Sequence, residues 1–118
     1  MAKFLFIYRD GPQTDVQPSP EEMQQAMQVW MDWIEKGTQD GWLVEGGDAL
    51  KPDGHIVHPD QTVTDGPFAE SKELVSGYSI IQADNYSQAV EYAKTSPMIS
   101  VHQGLVEVRE LAEVGTEE

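Results

Sequence analysis

Among the 118 residues there is no cysteine, which excludes disulfides, thiolate nucleophiles and cysteine-based metal or redox centres. Cationic side chains are nearly as scarce: seven Lys and Arg stand against 21 Asp and Glu, leaving a net charge of −14. Nucleic-acid binding rests on Lys and Arg neutralising phosphates, so this balance argues against nucleic acid and, for the same reason, against an anionic membrane surface. Long hydrophobic runs are missing too. The apolar opening, Phe4-Leu5-Phe6-Ile7-Tyr8, is too short and too soon interrupted for a signal peptide or a membrane span, so a cytoplasmic chain is expected. The acidic surface reads as a solubility coat, or as a field attracting a basic partner or cationic ligand. Gly46-Gly47 lacks the Lys-Ser/Thr of a phosphate loop and the spacing of a dinucleotide fingerprint, and there is no Ser-centred nucleophile elbow. No cofactor is expected.

What is present is enough for one core. Residues 1–112 read as a single domain, followed by an acidic tail, 113–118. Lys3 to Arg9 is a strand with apolar residues on both faces, closed by Asp10-Gly11-Pro12. Ser19-Pro20-Glu21-Glu22 is a complete helix start: a cap, a proline at the first helical position and a Glu that closes a capping box. Met23, Met27, Trp30 and Ile34 then recur at helical spacing to about Asp40, and such a stripe is expected to be core, with a ligand wall as the alternative. Trp42 to Gly46 is a short strand. His55 to Val57 and Thr62 to Thr64 form a small hairpin, which stops at Asp65-Gly66-Pro67. Glu73 to Ala83 is the longest strand, again two-faced. A second helix starts at Asn85 and ends at Pro97, and Gly104 to Leu111 is the last strand.

Hairpin aside, the order is β-α-β-β-α-β. The fold class is therefore α+β, a ferredoxin-like split βαβ with a four-stranded antiparallel sheet and two helices on one face. Two helices cover one side of such a sheet. Phe4, Phe6, Tyr8, Tyr78, Ile80 and Leu105 are assigned to the other side, where they would be an exposed apolar patch in a monomer. A homodimer with sheets face to face, a dimeric α+β barrel, is the expected solution.

Several side chains are candidates for chemistry. Asp65 stands where a strand ends beside Gly66 and Pro67, as a catalytic carboxylate or a residue that shapes the turn. Asp48, after two glycines, is a second catalytic candidate, since two carboxylates in one dry pocket push one pKa upward. His102, in the loop after the second helix, is a candidate general base. Arg109 is a candidate anion-binding group, with a pair to Glu107 as the alternative, and Tyr8 and Tyr78 would add hydroxyls to the same ligand cavity. His55 and His58, three apart in a strand, face opposite ways and make a poor metal pair, so no metal site is expected.

Thr64-Asp65-Gly66-Pro67-Phe68-Ala69-Glu70-Ser71-Lys72-Glu73, then Gly77-Tyr78, resembles the DGPF-type branch of the YCII-related domain family. Leu5 to Tyr8, the Ser19-Pro20-Glu21-Glu22 start and Val106 to Arg109 fall in that family's order, so the resemblance runs from Lys3 to Leu111. It implies a small bacterial protein with a ferredoxin-like fold and a dimeric α+β barrel. It also implies a suspected His and Asp activity, and domains found alongside sigma factors. In the family the suspected histidine lies in the first helix. Here that helix has none, and Trp30 takes its place, so a helix-borne dyad is not carried over. Two functions follow as expectations. One is a small-molecule site, with an anionic ligand among the candidates, in a cavity near the dimer interface, with cofactor-free acid–base catalysis if there is turnover. The other is a non-enzymatic, transcription-linked interaction module.

Overall fold

The structure, a computed structural model, describes residues 1–10, 17–66 and 74–112. Its largest unit is a four-stranded antiparallel sheet ordered β2-β5-β1-β6, from β1 (Ala2–Arg9), β2 (Leu43–Glu45), β5 (Val75–Ala83) and β6 (Leu105–Glu110). With α1 (Pro20–Asp40) and α2 (Tyr86–Lys94) between the strands, this is the split βαβ order read from the sequence, consistent with a ferredoxin-like fold. A separate two-stranded sheet pairs β3 (Gly54–Val57) with β4 (Val63–Gly66). The Asp10-Gly11-Pro12 strand end, the run from Pro67 to Glu73 in the central motif and the acidic tail lie, in whole or in part, outside the described residues.

The α1 start forms as its sequence dictates. Ser19 Oγ accepts from the Glu22 N–H at 3.1 Å, and Glu22 Oε1 accepts from the Ser19 N–H at 2.9 Å. Gly41 ends the helix in the left-handed region, φ 87°, its N–H returning to the Gly37 and Thr38 carbonyls. A third helix, α3 (Pro97–Ser100), follows α2, so the expected count of two is corrected to three among the described residues. Ser96 caps it by accepting from the Met98 N–H, and Pro97 opens the new turn as well as closing off α2.

The face assignment of β1 is also corrected. Phe4, Phe6 and Tyr8 point to the helix side and are buried, with Phe4 edge-on to Tyr86 and Tyr8 edge-on to Trp30. Leu5 and Ile7 occupy the outer face instead, in register with Ile80 and Tyr78 of β5 and with Arg109 and Glu107 of β6. A strand apolar on both sides carries no internal mark of which side is in. The mark lies on its neighbour: Gly77 and Ser79 sit opposite Tyr8 and Phe6, and their small size leaves room for aromatic rings beneath the helices. Full burial of Phe4, Phe6 and Ile81 contributes about 1.5–3 kcal/mol each.

Around this centre the aromatics continue. Trp33 packs edge-on to both Trp30 and Trp42, and Trp42 stacks on Tyr92 with centroids 4.4 Å apart. No helix among the described residues is long and apolar enough to cross a membrane.

Candidate functional site

The helix stripe divides where core was expected throughout. Trp33 and Gly37 are buried, but Met23 and Met27 are 56% and 64% exposed. They stand on the wall of a half-open cleft with a cavity volume of about 780 Å³, in the size range of small-molecule sites. Glu22, Ala26, Trp30 and Ile34 complete the α1 wall at the i, i+4 and i+3 spacings of one helix face. The facing wall is the chain from Gly46 to Leu50 together with Ser76 to Tyr78. Tyr8 and Asp10 contribute from β1 and its end, and Met98, Val101 and His102 close the cleft from the α3 side.

The second wall depends on a close approach. Residues 46–50 run across β5, where the Tyr78 N–H donates to the Asp48 carbonyl and the Leu50 N–H to the Ser76 carbonyl. Ala49 bridges to Gly77. Gly47 has φ 77°, and a Cβ there would collide with the Tyr78 carbonyl oxygen. Only glycine lets this segment lie flat enough to present Asp48 at the rim.

Four of the residues picked from the sequence line the cleft: Tyr8, Asp48, Tyr78 and His102, with Tyr78 at the β5 edge in the outer-face register of Ile7. The Tyr8 hydroxyl donates to Ser79 Oγ at 2.7 Å, and Ser79 donates onward to the Gly46 carbonyl at 2.7 Å. Burial pushes the Tyr8 hydroxyl up to about 12, against the opposing pull of its Ser79 and Ser96 hydrogen bonds, so it stays a neutral donor. The Tyr78 hydroxyl lies 3.4 Å from Glu45 Oε1 and 3.5 Å from Asp48 Oδ2. The Glu45 charge raises the Tyr78 pKa, with desolvation and the Asp48 charge adding to it. His102 Nε2 accepts from the Trp30 indole N–H at 2.9 Å. This assigns the proton of the neutral ring to Nδ1 and occupies the lone pair a general base would use. An imidazole thus reaches the cleft from the loop after α3, touching the helix position where the family resemblance would have put one.

Asp65 and Arg109 are elsewhere. Asp65 lies in β4 opposite His55, its side chain 88% exposed and 3.5 Å from His55 Nδ1. Arg109 sits on the outer sheet face, its guanidinium 3.4 Å from Glu107, whose other carboxylate oxygen takes Arg9 at 2.8 Å. The Arg9 bond, against some desolvation and aided by Arg109, holds the Glu107 carboxyl below its ordinary range. His58 Nε2 is 2.9 Å from Thr64 Oγ1, and no cluster able to hold a metal ion occurs among the described residues.

Sequence reasoning missed Met23, Met27 and Trp30 as cleft residues. Their spacing marks a helix face without saying what lies opposite. The signal was Gly46-Gly47, since the left-handed Gly47 lets the facing segment lie against the β5 backbone.

No curated protein matches the chain. The family model of the YCII-related domain matches residues 2–114, nearly the whole length, and the chain belongs to the YCII-related domain family.

Proposed function

We propose that the cleft under α1 is a small-molecule site, and that the chain works as a homodimer of the DGPF-type branch of its family. The observation that supports the site is that Tyr8, Asp48, Tyr78 and His102 all line one half-open cleft of about 780 Å³. Any turnover there is cofactor-free acid–base chemistry. Asp48 serves as the carboxylate base and Tyr78 as its hydroxyl partner, while His102 orients the ligand with a hydrogen bond from its Nδ1–H. Asp65 belongs to the hairpin in this reading, and an anion site at Arg109 is not part of it. The dimer reading is supported by the outer face, where Leu5, Ile7, Ile80 and the 57%-exposed Leu105 form an apolar strip.

Ala26 is small and faces the cleft. Ala26→Trp fills the space about two helical turns N-terminal to Trp33, away from the packed half of the helix. A fragment library screened by thermal shift should yield hits with the wild type that vanish with Ala26→Trp, at an unchanged baseline melting temperature. Identical hit lists for both proteins would reject the site. Ile80→Glu should turn a dimer into a monomer in light-scattering chromatography, and a monomeric wild type at micromolar concentration would reject the dimer.

A further inference from the structure

The same cleft has a one-sided charge. The described residues that line it include three carboxylates, Asp10, Glu22 and Asp48, and no Lys or Arg. These charges stand over apolar and aromatic walls, and low-dielectric walls focus the field of one-signed charge into the space between them. The Trp30 indole offers a π-face, and Met23 and Met27 supply a polarisable, adaptable surface. We infer that the cleft takes an organic cation with an apolar body, an amine or quaternary ammonium of aromatic size, its charged end toward Asp48 and its body against Trp30. This rests on the cleft being a small-molecule site at all.

The acids alone would not select such a ligand, since the whole chain is acidic. The selectivity comes from combining them with a half-open, largely apolar cleft, which hydrated metal ions and simple salts do not fill. An anion of the same shape meets three carboxylates and no cationic side chain among the described lining residues.

Isothermal titration with three probes of one shape tests this: phenethylamine, phenethyl alcohol and 3-phenylpropionate. The amine should bind about tenfold more tightly than the alcohol at low salt, with the carboxylate weakest, as expected for a desolvated cation–π contact with charge support. In an Asp10→Asn, Asp48→Asn double variant the amine should lose most of that advantage while the alcohol is unchanged. Equal affinities for amine and alcohol in the wild type would overturn the cation inference and leave the cleft reading standing. Amine binding that survives in Ala26→Trp would place it on the general acidic surface and overturn the inference. Binding of none of the three at millimolar concentration would overturn both readings.

Discussion

The two halves of α1 share one helix and one apolar stripe, yet they have opposite surroundings. Toward the C-terminus Trp33 is wedged between Trp30 and Trp42, and its indole N–H donates to Thr95 at 2.9 Å. Gly37 lies so close to β2 that an added Cβ would come within 2.9 Å of the Trp42 ring. Toward the N-terminus Met23 and Met27 face open space across from Gly46 and Gly47. The helix is anchored at one end and cantilevered at the other. Stability is concentrated in the anchored half, and the free half is available for a ligand.

The sharpest way to break this contrast is truncation in the anchored half. Trp33→Ala should cost about 3–5 kcal/mol, read as a shift in the denaturant midpoint, because it opens a cavity between the Trp30 and Trp42 rings and removes a donor to the Thr95 hydroxyl. A loss below 1 kcal/mol would mean that half is not core. Next comes the alkaline limb. Tyr8 keeps its proton to about pH 12 when folded, whereas an unfolded tyrosine ionises near pH 10. Its contribution is whole below pH 10 and is lost as the pH rises to about 12, amounting to about 2–3 kcal/mol. Tyr8→Phe should flatten that decline in a pH series of unfolding curves, at a cost of about 1 kcal/mol near neutrality for the lost Ser79 bond.

Gly37→Leu should cost about 1–3 kcal/mol by overpacking, despite leucine's better helix propensity, since the Trp42 ring is held by its stack on Tyr92. Smallest of all, Met27→Ala should change stability by no more than about 0.5 kcal/mol, because the side chain is exposed. The same change should weaken phenethylamine binding several-fold, a split between stability and binding that the anchored half would not give.

The contrast explains what could be read from the residues. Local rules carried far: the Ser19 and Glu22 box, the Asn85 cap and the strand periods gave the element order, and the order gave the sheet. Failure came wherever a residue's meaning depended on what faces it. β1 was assigned the wrong way out because both of its faces are apolar. Spacing on α1 predicts Met27 as core because it is blind to what lies across the gap. Asp48 and His102 were individually visible, but only the crossing of residues 46–50 over β5 and the added turn of α3 bring them to one cleft. Arg109 and Glu107 were legible as a pair from their register on one face of β6.

The most direct test uses the chain's own three tryptophans, one in the cleft and two in the core. In a titration with phenethylamine followed by indole N–H resonances, the Trp30 signal should move and saturate while those of Trp33 and Trp42 stay in place. If all three drift together without saturating, or Trp30 alone fails to respond, the free half of α1 does not wall a binding site.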